Sequence, residues 1–418
     1  MPSSIPLPTG GHYDGRVTER GGDTALSELM PWSVRGIRTG RSWVLCADPE
    51  VLEERWRRLV EAGPQRRAEL FEPSRSRTPD SAVAALPGQA GQGGSTRRLS
   101  REPGPRPPLV RVRSRAFDRL WLLADHRLLD RARPELWRVL GPDQRFMLTL
   151  PPQQPAPAAP DSPTTVVSTE LPIDPRVTVH PLHRRPDGSE PNVTPGLLAH
   201  LSHVFRATAP LTPADLLAWI TAVTARPAAP RSGGEPLVPL PRSAAVWAEG
   251  VALGHRVLEL HSAAPTGRRL PDGRRAFVRQ PVDRQPETLG YEPETETLML
   301  GEGRLAPVLP SAWASPALGE WFEERIAFRS AATGTLQALG LTVWPQRATT
   351  ELLELTTTLA LLAELLPAQQ ELVASGGPWL SRAELADAGV LPVPAAARRP
   401  ASVFTCQEEG PEGQYALL

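Results

Sequence analysis

The sequence predicts an α+β fold in which mixed sheets and hairpins pack with amphipathic helices, joined by Pro-rich linkers and closed by disordered tails. Three observations carry this expectation. Hydrophobic side chains make up 40% of a 418-residue chain, enough to bury a sizeable core in one large domain or two. Short alternating runs rich in Val, Ile and Trp lie between Gly and Pro punctuation. Other segments place a capping residue ahead of apolar positions spaced three and four apart.

In chain order, residues 1–30 are rich in Gly, Pro, Ser and charge with no apolar period, and read as a tail. A first ordered block spans 31–150. It opens with a Gly-broken stretch, Trp32 to Cys46, that suits a hairpin. A helix follows: Asp48 caps it, Pro49 suits its first turn, Leu52, Trp56, Leu59 and Val60 form one stripe, and Gly63 ends it. Residues 73–107 read as a mobile insert. Val110 to Arg115 alternates with period two, setting a row of Arg111, Arg113 and Arg115 opposite an apolar face. The Pro-rich run 151–165 reads as a linker.

The second block spans 166–375. Thr212 and Asp215 make a capping-box variant ahead of Leu216, Leu217, Trp219, Ile220 and Val223, and a second helix runs from Ala244 to Leu260. The stretch from Thr266 to Arg279 places an Asp272-Gly273 turn between Arg pairs. This gives a basic hairpin or loop able to reach a groove, or a solvated loop. Leu352, Leu355, Leu359, Leu362 and Leu366 mark a long amphipathic helix ending at Pro367, either a core helix or a partner-binding seam. Residues 376–418 read as a Pro-, Ala- and Gly-rich tail.

Composition excludes more than it identifies. All 46 basic residues are Arg, so chemistry that needs a Lys on a nucleotide phosphate, beside nuclease carboxylates or in a Schiff base has no donor. A GC-rich genome accounts for the replacement, and Arg suits phosphate and guanine recognition. The net charge is zero, yet residues 97–145 hold 13 Arg against 6 acids and residues 286–375 hold 12 Glu against 4 Arg, which suggests a basic side. Cys46 and Cys406 suggest neither a disulfide framework nor a Cys-rich zinc site. With no long apolar run and no secretory pattern at Met1 to Gly11, a cytoplasmic protein without a membrane partner is expected.

Three motifs tempt. Gly301, Gly303 and Ala306 fit a dinucleotide fingerprint, but Pro307 and Pro310 stand where its helix should begin, which favours a strand and a tight turn. The pairs His180/His183 and His200/His203 have ligand-like spacing without a grouped acid or Cys. No G-x-S-x-G elbow or H-E-x-x-H helix is present. No cofactor, metal or catalytic residue is expected.

Five segments then carry a likeness: Pro31–Thr39 (PWSVRGIRT), Arg115–Trp121 (RAFDRLW), Asp215–Pro227 (DLLAWITAVTARP), Ala244–Gly254 (AAVWAEGVALG) and Gly290–Gly303 (GYEPETETLMLGEG). In this order they resemble the C-terminal specificity region of type ISP restriction-modification enzymes, large bacterial chains that combine helicase-like, methyltransferase and target-recognition parts. The chain departs from the family at Arg226 to Ala229, where members look like His-Pro-Ala-Tyr. It also lacks the F-x-G-x-G-like loop and the [N/D]-P-P-[Y/F] motif of the family's adenine methyltransferase.

The resemblance implies a protein that recognises double-stranded DNA without performing chemistry, alone or with a separate methyltransferase or ATPase subunit. A protein-interaction or regulatory remnant of the same fold is the alternative. The DNA-contact candidates are Arg111, Arg113, Arg115 and Arg119, then Arg268, Arg269, Arg274 and Arg275, with Arg35, Arg38 and Arg41 as a secondary set. As Arg-rich strands and loops, these serve equally as solvated surface.

Overall fold

A computed structural model describes residues 23–88, 97–151, 162–262, 267–327, 333–340 and 344–401. Of the segments expected as tails, insert and linker, residues 1–22, 89–96, 152–161 and 402–418 lie outside the described residues. The described residues form helices and four small sheets, an α+β architecture.

Two four-stranded sheets build the first half. One has the order β2 (Val34–Arg35), β9 (Thr178–Pro181), β6 (Phe146–Thr149), β7 (Thr165–Ser168). The other runs β3 (Leu45–Cys46), β5 (Arg119–Leu123), β4 (Leu109–Arg113), β8 (Leu171–Pro172), and its β4–β8 pair is parallel. Central strand β6 is buried on both faces, and its period-two alternation divides it between cores. Phe146 and Leu148 join a first core with Trp43, Val112 and Leu122, whereas Met147 joins a second.

The helix α2 (Pro49–Glu61), capped by Asp48, lays Leu52, Trp56 and Leu59 into that first core, as its stripe predicts. Its Arg55, fully buried, donates to the carbonyls of Trp43 and Leu45 at 3.0 and 2.8 Å and to Leu339 at 3.0 Å, so one guanidinium ties a distant loop to the sheet. Next come α3 (Pro64–Phe71) and, beyond β5, α4 (Pro134–Arg138). The described parts of 73–107 lack regular structure but are pinned: Leu86 and Leu99 are buried, and Arg127 donates to the carbonyls of Arg97 and Pro103, each at 2.9 Å.

The second core is helical, with α1 (Leu26–Leu29), α5 (Leu197–Phe205), α6 (Pro213–Thr224) and α7 (Ala244–His261). The Thr212–Asp215 capping box forms. Residues 23–30, expected in a tail, instead supply α1 and β1 (Asp23–Ala25). The latter pairs with β11 (Glu235–Pro239), which also pairs with β10 (Arg231–Ser232). Pairing with a strand more than 200 residues away leaves no local signal. Trp219 on α6 stacks on Trp247 of α7, centroids 5.4 Å apart, and donates its indole N–H to Pro239 at 2.8 Å.

The third core lies under a four-stranded antiparallel sheet of order β12 (Phe277–Gln280), β15 (Gly303–Ala306), β14 (Thr297–Leu300), β13 (Leu289–Glu292). The Gly301–Ala306 motif is thus a tight turn and a strand, and α8 (Pro310–Trp313) begins only after it. Beyond α9 (Pro316–Ala327), α10 (Gln346–Ser375) runs for 30 residues and α11 (Arg382–Asp387) follows. Leu352, Leu355 and Leu359 of α10 enter the third core, Leu365 and Leu372 the second. The expected stop at Pro367 does not occur. The next turns still have apolar partners, and the buried Gln369 amide, donating to the Ala222 carbonyl at 2.9 Å, holds the helix against α6 beyond the proline.

The close approach of α6 and α7 sets a test. A Cβ on Gly254 of α7 would meet the Ala218 carbonyl oxygen at 1.9 Å. Gly254→Ala should therefore cost about 1–3 kcal/mol by overpacking, seen as a lower urea midpoint at unchanged slope. An unchanged midpoint would mean that α6 and α7 part freely.

Candidate nucleic-acid interface

The candidate arginines divide by what surrounds them. Arg113 projects from β4 into the interior, where it is 4% exposed, and donates to the carbonyls of Ala116 and His261 at 3.3 and 3.1 Å. Burial lowers its pKa, partly opposed by Glu170. Arg41 is likewise enclosed, bonded to the Leu128 carbonyl and 3.3 Å from Asp130. In this conformation neither can reach a phosphate. Sequence pattern shows neither: β4 is a period-two strand with two faces and nothing local says that both are covered, and Arg41 lies in the loop before β3, where nothing local marks its burial.

The other cations of the β4–β5 hairpin meet acids as well, two of them from the distant 286–375 stretch. Arg111 is 2.9 Å from Glu351, Arg115 3.4 Å from Glu324, and Arg119 3.6 Å from Glu170. Between them Arg325 of α9, 1% exposed, grips both oxygens of buried Asp118 at 2.8 and 2.9 Å, reaches Glu351 at 3.1 Å, and lies 4.4 Å from the Trp321 ring centroid. Burial alone would lower its pKa, but the Asp118 and Glu351 carboxylates outweigh that and hold it above the ordinary value. The basic stretch 97–145 and the acidic stretch 286–375 thus neutralise each other in part inside the fold, and the expected basic side is smaller than composition suggests.

What stays open lies elsewhere. Arg35 is exposed and donates to the Arg176 carbonyl at 2.7 Å, and Arg38 is exposed 4.0 Å from Asp130. The Asp272-Gly273 turn forms, with Gly273 at φ +83°, a left-handed conformation that favours glycine. Within it Arg268 is half-buried beside Glu259, and Arg274 is held by Asp272 and Glu296, each at 2.6 Å, which raises its pKa. Arg269 is exposed, donating to the Gly273 carbonyl at 2.9 Å, and Arg275 is exposed without an acidic partner among the described residues. Sequence reasoning passed over their neighbours Phe277, Arg279 and Arg284, all exposed. Their signal was a short β-forming run directly after a basic turn.

A cleft of about 870 Å³ lies beside the end of β4, lined by Arg113, Arg115, Arg176 and Arg231 with Asp174 and Glu320. Its cations are already engaged: Arg176 is 2.7 Å from Asp174, and Arg231 donates to the carbonyls of Leu150 and Thr164. Among the described residues no group of His, Cys, Asp and Glu could hold a metal ion, and no helix is long and apolar enough to cross a membrane. His180 is buried, with Nδ1 2.8 Å from the Met30 carbonyl.

The family model of the Type ISP C-terminal specificity domain matches residues 28–355. The chain belongs to this family. The Type ISP specificity domain also finds its fold among solved structures. It matches the DrdV–DNA complex (TM-score 0.51, 14% identity, 81% of this chain and 36% of that one). A nuclease-deletion mutant of the Type ISP restriction-modification enzyme LlaGI with a DNA substrate mimic gives TM-score 0.50 at 12% identity, covering 85% and 28%. The ATP-dependent Type ISP enzyme LlaBIII bound to DNA gives 0.52 at 13%, covering 87% and 24%. The chain therefore spans roughly a quarter to a third of each of these proteins. No curated protein matches it.

Two predictions separate interior from surface in this Type ISP domain. Arg325→Ala strands the Asp118 carboxylate and should cost about 3–5 kcal/mol, whereas Arg275→Ala should stay within about 0.5 kcal/mol; equal urea midpoints would contradict the division. Buried His261, with Nδ1 accepting from the Val167 N–H at 3.2 Å, has its pKa lowered to about 3 by burial and by Arg113. An unfolded imidazole protonates near pH 6.5 while the folded one stays neutral, so this stabilisation is complete above about pH 6.5 and is lost as pH falls towards 3, by about 1.4 kcal/mol per pH unit. His261→Gln should flatten the acid limb of the stability curve relative to wild type; superimposable limbs would refute it.

Proposed function

We propose that this chain is a DNA target-recognition module of a restriction-modification system that recognises duplex DNA and performs no chemistry on it. The match of residues 28–355 to a specificity domain carries the proposal, and the DNA complexes among its fold neighbours support it. Among the candidate cations, the contacts we assign are the exposed Arg35, Arg38, Arg269 and Arg275. Arg115, partly exposed beside Glu324, is a further one that must leave its acid partner to reach phosphate. Arg111, Arg119, Arg268 and Arg274 shape the surface through their ion pairs, and Arg41 and Arg113 hold the interior.

A second role has its own support. Tyr291 and partly exposed Trp313 stack with centroids 5.2 Å apart on the opposite margin of the last sheet, next to the exposed Glu292 and Glu294. This aromatic and acidic face suits a protein partner, such as a separate methyltransferase or ATPase polypeptide.

Binding of the full chain to random-sequence duplex DNA across a salt series tests the proposal. The logarithm of affinity should fall with the logarithm of salt concentration by about 0.9 per phosphate contact, and selection of bound DNA should enrich a motif. Alanine at Arg35, Arg38, Arg269 and Arg275 should flatten that slope. Absence of binding at about 50 mM salt would defeat the proposal.

A further inference from the structure

The last sheet is open at both margins, β12 and β13, neither of which has a further strand beside it among the described residues. β12 pairs with β15 alone, Phe277 opposite Ala306 and Val278 opposite Leu305, and the register then breaks so that Gln280 faces Arg304. The break leaves Arg279 as an extra residue, a bulge that bends the strand at that point. Only Val278 is half-buried; Phe277, Arg279 and Gln280 are exposed. Among the described residues the exposed large hydrophobic side chains are Trp313, stacked on Tyr291, and Phe277, which is 52% exposed. The Arg279 guanidinium lies 6.0 Å from the Phe277 ring centroid, so cation and ring occupy one side of the strand.

Charge around the strand runs one way. Residues 267–284 hold six Arg and two Asp. Asp272 is taken by Arg274 at 2.6 Å, and Arg275, Arg279 and Arg284 have no acidic partner among the described residues. Proteins blunt an exposed edge with charge, which accounts for the arginines. It does not account for Phe277, since an aromatic at such an edge invites association.

We infer that β12 is a DNA-reading strand, with Phe277 touching base edges in a groove while Arg275, Arg279 and Arg284 hold the flanking phosphates. This rests on the recognition role proposed above and adds the element and the residue that discriminate sequence. Duplex DNA fits better than a second copy of the chain. Two β12 edges brought together would place unpaired arginines against their own kind, whereas DNA supplies the missing anions. The dimensions also agree: a strand rises about 3.3–3.4 Å per residue, close to the roughly 3.4 Å between bases along one DNA strand. A groove about 12 Å wide admits a two-stranded β-ribbon, the form in which β12 is paired with β15, and Phe makes apolar contact with a thymine methyl there.

The test compares full-length wild type, Phe277→Ala and the triple variant Arg275→Ala/Arg279→Ala/Arg284→Ala, each with random-sequence duplex DNA in a salt series followed by selection. Phe277→Ala should keep the salt slope and lose discrimination at one base position by on the order of tenfold. The triple variant should keep the enriched motif and lower the slope by about 2 to 3. Urea midpoints should match wild type, because all four side chains are exposed. If wild type enriches a motif and both variants reproduce its motif and slope, β12 is not the reading strand and the recognition role stands without it. Failure of wild type to bind removes both. Self-association of wild type that Phe277→Ala abolishes, with the DNA motif unchanged, assigns the edge to pairing between copies and overturns the inference.

Discussion

The fold turns on a buried ionic junction in which Arg325 binds Asp118 through both carboxylate oxygens and shares Glu351 with Arg111. Asp118 precedes β5, Arg325 lies on α9 and Glu351 on α10, so the contact fastens the third core to the first across more than 200 residues of sequence. Such a cluster adds little net stability over an apolar replacement, because removing the charges from water is costly. Its contribution is arrangement. An apolar contact can slide, whereas a two-point grip of guanidinium on carboxylate fixes how α9 and α10 lie across β4 and β5.

Much else is consistent with that arrangement. With α10 set against β4 by Arg111 and Glu351, its leucines are divided between two cores, and the helix has reason to continue past Pro367. Helices α8 to α10 then cover one face of the last sheet, β15 and β14 fill its centre, and β12 is left at the margin. The open strand and the buried arginines are two results of one packing solution. The acids nearest the β4–β5 cations are consumed inside, and the cations that remain outside are those to which the fold brought no partner.

This explains what could be read from sequence and what could not. Elements defined by their own few residues were legible: Asp48 and Pro49 start α2, the Thr212–Asp215 box starts α6, and the Asp272-Gly273 turn forms where the dipeptide demands it. The α+β class followed from such pieces. Elements defined by distant partners were not. β1 exists because β11 accepts its hydrogen bonds, and Arg55 is buried within a helix stripe because the 337–339 carbonyls come to it. The division at 151–165 is crossed by β6 and β7, neighbours in one sheet that flank it.

The candidate site suffers most from this limit, and for a chemical reason. In a chain without Lys, every cation is Arg, whether it binds a phosphate, caps a cluster of carbonyls or pairs with a buried acid. The guanidinium suits all three, since its planar fork of five donors satisfies two carbonyls as readily as a carboxylate or phosphate. Arg113 and Arg275 are therefore indistinguishable as letters and opposite in place, one spending its donors on Ala116 and His261, the other facing solvent. The distinction lies in which donors the fold leaves unspent. It becomes visible only when the acids and carbonyls of residues 168–351 have been set against the basic strands, and at β12 the unspent donors coincide with an exposed aromatic on an edge strand, where both polar and apolar recognition remain open.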